Sequence, residues 1–342
     1  MADGSAIVSS GCTWGTGEEF SPPRWLRNPH LQSIFPSLPL PRPRVLRGCR
    51  EVLSASRREI VDCGGGVRLL AFRATPYVPR GGIRRTAILL HGWHGSANSP
   101  DIVSLAQHLF EHGIEVVRLN LRDHGDTQDL NIGLFHSCRL AEVVGAVRKL
   151  QQASPRAELS LIGFSLGGNF GLRVAANADQ EGLDLSHVVA VCPVVDPATA
   201  LERLDSGSWF YRRYFISKWR RSLIMKNAAW PKRYDFRDML RMSSLTEMTD
   251  HFVRRYTNFR SLENYLKSYA LVDDILGKLD VNTWLIAATD VPILPVDDVD
   301  RLPLRPNLTI TRTTFGGHCG FYDGKAGPGW LERGIQGALS QR

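Results

Sequence analysis

The stretch Leu159-Ser160-Leu161-Ile162, followed by Gly163-Phe164-Ser165-Leu166-Gly167 and a helix-forming run from Asn169 to Asn177, decides the fold. An apolar strand that breaks at G-x-S-x-G and re-enters as a helix turns too sharply for ordinary residues. The glycines on either side of Ser165 are small because the turn leaves no room for side chains there. The strain pushes the serine hydroxyl out of the sheet, as in a nucleophile elbow.

Working outward, the same strand-then-helix rhythm repeats. Ala87-Ile88-Leu89-Leu90, Val116-Val117-Arg118-Leu119, Val188-Val189-Ala190-Val191, Thr283-Trp284-Leu285-Ile286-Ala287-Ala288 and Leu308-Thr309-Ile310-Thr311 are short apolar runs. Helical patterns near Asp101 to Glu111, Arg139 to Gln151 and Pro328 to Leu339 fall between or after them. Runs apolar on both faces and separated by amphipathic helices predict a mostly parallel sheet covered by helices on both faces. Arg58 to Asp62 and Val67 to Phe72, joined by three glycines, predict an antiparallel hairpin before it. After Asp196-Pro197 the alternation stops for about 80 residues, which predicts a helical cap inserted into the core. The expected organisation is a flexible N-terminus over 1–20, a first core segment over 21–197, a cap over 198–278 and a second core segment over 279–342. The proline-punctuated stretch from Ser21 to Arg44 is expected to wrap the core without forming an element.

Charge is concentrated in the cap. Of a net charge of +8, the whole excess lies between Glu202 and Arg260, with 14 Lys plus Arg against 6 Asp plus Glu. The same segment holds 12 of the 30 aromatic residues, among them Trp209, Phe210, Tyr211, Tyr214, Phe215 and Trp219. A basic, ring-rich cap can line a substrate pocket and can also touch an anionic membrane peripherally; no motif in it points to nucleic acid. No window is apolar enough to span a bilayer, and the N-terminus lacks a secretory core. Six scattered cysteines without a C-x-x-C pair fit reduced thiols, so a cytoplasmic location is expected. His108-Leu109-Phe110-Glu111-His112 has the spacing of an inverted zinc-protease helix, but Gly113 ends the helix at once. It is expected to be a cationic C-terminal turn, and neither a metal nor any other cofactor is expected.

A serine nucleophile needs a base, and the base needs a group that holds its tautomer. In the α/β-hydrolase topology these come from strand ends in the order nucleophile, acid, histidine. Asp290 follows the strand ending at Ala288, and His318 follows the last strand in a glycine-rich loop, so Ser165, Asp290 and His318 are the expected triad. Asp196 is the alternative acid, while Asp297 and Asp298 are expected to cap or solvate the loop that follows them. The oxyanion hole would use the backbone N–H groups of Leu166 and Trp93, the latter presented by His91-Gly92-Trp93-His94-Gly95-Ser96. The charged residues of Asn120 to Thr127 are expected to bond one another.

Arg27-Asn28-Pro29-His30-Leu31-Gln32-Ser33-Ile34-Phe35, the His91 to Ser96 loop, Phe135-His136-Ser137, the elbow and Gly316-Gly317-His318-Cys319-Gly320-Phe321 together resemble the YheT-like branch of the α/β hydrolases. The resemblance runs from about residue 25 to the C-terminus and is weakest in the cap. It implies the α/β-hydrolase fold, serine-ester hydrolysis on Ser165, Asp290 and His318, and a small-molecule acyl ester with an apolar or lipid-like acyl group as substrate. Relatives often carry two adjacent acids before the proline, where Asp290-Val291-Pro292 has one. The same triad could pass the acyl group to an acceptor other than water, or the fold could bind without turnover. Oligomeric state is not legible in the chain.

Overall fold

The structure is a computed structural model, and it describes residues 18–34, 48–77, 83–272, 276–277, 279–303, 305–324 and 328–341. Eight strands form one sheet: β1 (Arg57–Asp62), β2 (Arg68–Ala74), β3 (Arg85–Leu90), β4 (Glu115–Leu119), β5 (Glu158–Phe164), β6 (His187–Val191), β7 (Asn282–Ala288) and β8 (Leu308–Thr313). Their order is β1-β2-β4-β3-β5-β6-β7-β8; β1 and β2 pair antiparallel, β2 meets β4 antiparallel, and all other pairs are parallel. This is the expected α/β-hydrolase arrangement with the glycine-turned hairpin at one edge. Both faces of β3, β5 and β6 are buried, which is why those runs carry no polar alternation.

Short helices α1 (Pro29–Ile34) and α2 (Arg50–Ala55) precede the sheet, and α3 (Pro100–Glu111), α4 (Leu140–Ala153) and α5 (Leu166–Ala176) alternate with its strands. Their apolar stripes form two clusters, one on each face of the sheet. Between β6 and β7 lie α6 (Pro197–Ser206), α7 (Trp209–Ala229), α8 (Leu245–Tyr256) and α9 (Leu262–Lys267), and α10 (Trp330–Ala338) closes the chain against α3. Asp205, near the end of α6, accepts from Ser244 Oγ at 2.5 Å and from the Leu245 and Thr246 amides at the start of α8. Burial alone would raise its carboxyl; these hydrogen bonds outweigh that and hold it below the usual range. One carboxylate thus ties two helices by satisfying amides that helix geometry leaves orphaned.

Two expectations about the N-terminal part are corrected. Most of 1–20 lies outside the described residues, yet Phe20 is 2% exposed, packed on Phe321 and Trp330, because an apolar ring this close to the terminal helix gains more by burial than by freedom. The segment expected to lack elements contains a 3-10 turn at Arg24–Leu26 and α1. Among the described residues no helix is long and apolar enough to cross a membrane.

Candidate active site

Ser165 joins the end of β5 to the start of α5 with φ +53° and ψ −116°, a conformation disfavoured for a residue with a side chain. Its amide donates to Val191 O at 2.8 Å on the neighbouring strand, which fixes the turn. The glycines are required by contact. A Cβ on Gly163 would lie 2.1 Å from Gly167 O, and one on Gly167 would lie 2.4 Å from Leu90 O, so strand, helix and the end of β3 touch backbone to backbone. Leu166 is the first residue of α5, so its amide has no intrahelical acceptor. Gly92 packs against the serine, since a Cβ there would sit 3.1 Å from Ser165 Cβ, and Trp93 follows it.

His318 occupies the loop after β8 and lines the same cavity as Ser165. Asp290, after β7, accepts the Gly317 amide at 2.8 Å through Oδ1, which draws the acid to the residue before the histidine. Asp290 Oδ2 and His318 Nδ1 are both buried without a hydrogen-bond partner, and they are the two atoms a triad would join. Burial lowers the His318 pKa to about 4, so the ring is neutral near pH 7 and has a lone pair to offer. Burial raises the Asp290 carboxyl, against the pull of the Gly317 and Gly316 amides. The alternative acid is occupied elsewhere: Asp196 Oδ1 caps α6 by accepting from Ala198 N, and Oδ2 pairs with Arg301 at 2.6 Å. Asp298 does more than serve its own loop, because it accepts Thr199 Oγ1 at 2.5 Å and so reaches α6.

The histidine loop is held by the N-terminal segment. Ser33 Oγ accepts the His318 amide at 2.8 Å, and Gln32 bridges Leu26 O and Tyr322 O while accepting the Tyr322 amide. A Cβ on Gly317 would lie 2.5 Å from Pro29 O and one on Gly320 would lie 2.1 Å from Gln32 O. Those glycines let the loop lie flat on α1. Nothing in the glycine-rich pattern by itself points to this contact; its co-occurrence with an Asn-Pro-His-Leu-Gln-Ser segment is the signal the sequence offers.

Ser165 and His318 lie in a cavity of about 720 Å³ roofed by α7. Trp93 stacks on Phe215 of α7 with ring centroids 5.4 Å apart and meets Trp219 edge-on at 5.4 Å, so the cap packs directly on the proposed oxyanion loop. His91 donates through Nδ1 to Gly92 O, since its Nε2 accepts the Leu121 amide, a structural role. His94 and His124 lie beside it, their pKa values lowered by burial, to about 4 for His124. Phe135-His136-Ser137 also lines the cavity, with Ser137 O accepting from Arg173 of α5 and Ser137 N donating to Tyr265.

Two further expectations change. The charged side chains of the Asn120 to Thr127 loop do not pair with one another: Arg122 pairs with Glu142 at 2.6 Å and Asp123 with Lys226 of α7 at 2.8 Å, each buried and each met by an opposite charge from another element. Lys226 Nζ also donates to Gln128 O, Asn131 O and Gly133 O, so a lysine that is 1% exposed latches the cap to the core. His108 is buried and its pKa is lowered to about 4, so it is neutral and not part of a cationic turn. No group of three or more metal-ligating side chains occurs among the described residues. Cys319 is set under the elbow, donating to Val191 O, and burial raises its thiol well above the usual value.

The family model for the alpha/beta hydrolase fold matches residues 87–271. The chain is 24% identical over 323 residues to the candidate esterase YheT of Escherichia coli (strain K12), covering 91% of this chain and 89% of that protein. It is also 24% identical over 196 residues to the monoacylglycerol lipase ABHD2 of Mus musculus, a match spanning 52% of this chain and 46% of the relative. Among solved structures, a 2,6-dihydroxy-pseudo-oxynicotine hydrolase aligns with a TM-score of 0.54 at 14% identity, covering 90% of this chain and 75% of that one. Est1E of Butyrivibrio proteoclasticus, with ferulic acid bound, aligns with a TM-score of 0.51 at 16% identity, covering 82% and 97%. At these identities the two structures speak for the fold.

Proposed function

The chain belongs to the alpha/beta hydrolase fold family, and from that premise we propose that it is a serine hydrolase of carboxylic esters with an apolar acyl group. The observation that carries this is Ser165, held in a left-handed elbow in the cavity that also contains His318. The neutral His318 takes the Ser165 proton as Oγ attacks the ester carbonyl, and Asp290 Oδ2, freed by the Gly317 contact of Oδ1, accepts Nδ1–H and steadies the imidazolium. The tetrahedral oxygen takes hydrogen bonds from the Trp93 and Leu166 amides, worth about 3 kcal/mol each by analogy with oxyanion donors. Collapse breaks the bond to the alcohol, which leaves with the proton from His318, and the acyl group stays on Ser165. Water then gives a proton to His318 as it attacks the acyl carbon; the Oγ–acyl bond breaks, the acid leaves, and Ser165 Oγ takes the proton back from His318.

The cavity size and its Trp93, Phe215, Trp219 and Phe252 lining suit a chain of methylenes. A monoacylglycerol, the substrate named for the mouse relative, falls within this class. A fluorophosphonate probe tests the nucleophile: the wild-type chain should be labelled and folded Ser165→Ala should not. Equal labelling of both, or none of the wild type, refutes the reading.

A further inference from the structure

We propose that the outward face of α7 is a docking surface for an anionic phospholipid bilayer, beside the cavity mouth, so that an acyl ester enters from the lipid; the delivery step rests on the hydrolase reading and the docking step does not. Between Trp209 and Ala229 there is no Asp or Glu and there are six Lys or Arg, of which only Lys226 is buried. The apolar residues are not confined to the inner face either. Trp209 is 67% exposed, Phe210 43%, Tyr214 44% and Ile224 56%, four of the ten large apolar side chains exposed among the described residues. Helical spacing places Phe210, Arg213, Tyr214, Arg221 and Ile224 at i, i+3, i+4, i+11 and i+14, on one half of the cylinder.

A helix that only roofs a core shows polar residues to water. Here large rings, an isoleucine and cations share the wet side. An acidic protein or a nucleic acid would meet the charge but leave the isoleucine unmatched. A lipid interface takes both, with apolar groups among the acyl chains and cations at the headgroups. Placement supports the same occupant. Phe210, Tyr214 and Arg221 belong to this face and also line the cavity that holds Ser165, so the face borders the opening. The opposite side of α7 carries Phe215 and Trp219 against Trp93. One helix thickness, about 10 Å, separates the surface from the oxyanion loop.

The test uses the full chain carrying Ser165→Ala, which cannot turn over, in co-sedimentation with vesicles of phosphatidylcholine alone or with added phosphatidylserine. Binding is expected on the anionic vesicles, at about fivefold per cation engaged, and should fall steeply between about 0.1 and 0.5 M salt. Arg213→Glu should lower it about tenfold or more, and Trp209→Ser with Ile224→Ser several-fold even at low salt. None of these three residues lines the cavity, so hydrolysis of a soluble short-chain ester and the melting temperature should stay unchanged in the otherwise wild-type chain. No binding to anionic vesicles, equal binding to neutral ones, or binding indifferent to the Trp209 and Ile224 changes overturns the proposal. Vesicle binding by a wild-type chain without esterase activity keeps the docking surface and sinks the hydrolase.

Discussion

Replacing Lys226 by Met should destabilise the protein by about 3–5 kcal/mol, because it leaves the Asp123 carboxylate buried without its ion-pair partner, the neighbouring Arg122 being already paired with Glu142. The ammonium now meets Asp123 Oδ1 and three carbonyls, while the carboxylate's Oδ2 accepts the Phe135 amide at 2.9 Å. Burial pushes both partners toward neutrality, raising Asp123 and lowering Lys226, against their mutual attraction. The pair therefore gains little over neutral groups of similar shape, yet either charge alone is costly. The double variant Lys226→Met, Asp123→Asn should accordingly return to within about 1–2 kcal/mol of the wild type. Urea unfolding read by tryptophan fluorescence gives these differences; in a thermal melt, about 1–2 °C per kcal/mol for a chain of this length makes the single-variant loss about 3–10 °C. The pH dependence carries a sign. Without the lysine, folded Asp123 should bind a proton at higher pH than the unfolded chain does, so the deficit of Lys226→Met should shrink as pH falls toward about 5. A loss under about 1 kcal/mol, or a double variant no better than Lys226→Met, would refute the latch.

Asp290→Asn should lower kcat by about 10²–10⁴ without unfolding the chain, and Asp196→Asn should leave kcat nearly intact and cost under about 1 kcal/mol of stability, since asparagine keeps the α6 cap and gives up only the charge opposite Arg301; steady-state kinetics beside melts separates the two acids. The acid limb of kcat/KM should fall below the ordinary imidazole value of 6.5, toward the pKa of about 4 to which burial brings His318, as a pH–rate profile would show. His318, His124 and His108 are each lowered to about 4 by burial, so the unfolded chain binds more protons between pH 6.5 and 4 and stability should fall as pH drops through that window, measurable by urea unfolding at several pH values. Gly167→Ala would force a Cβ to within 2.4 Å of Leu90 O and 2.7 Å of His91 O, so it should cost more than about 4 kcal/mol or prevent soluble expression.

The sheet was legible because its central strands, β3, β5 and β6, are buried on both faces and therefore read as unbroken apolar runs. The elbow was legible for a related reason, since backbone contacts at Gly163 and Gly167 admit no other residue. Long-range polar pairing was not legible. Nothing local in Asp123 or Lys226 says that residues 103 positions apart will share a proton's worth of charge, and a reader of the loop alone assigns Asp123 to its neighbours. The role of Gln32 and Ser33 was hidden in the same way, because both look like ordinary polar residues in a proline-broken stretch until the loop they hold is in view.

Gln32 and Tyr322 lie 290 positions apart, so the loop bearing His318 gains this part of its support only when two remote stretches of the chain have met, beside what Asp290 and Val191 supply. A nascent chain can assemble β1 to β7 on the ribosome and still be chemically inert. Proteolysis that strips away Arg24–Ile34 should likewise silence the imidazole while sparing the eight-stranded platform, since no strand of the sheet lies in that span. The sheet and the seating of the His318 loop thus rest on separate sets of contacts, and losing the second need not undo the first.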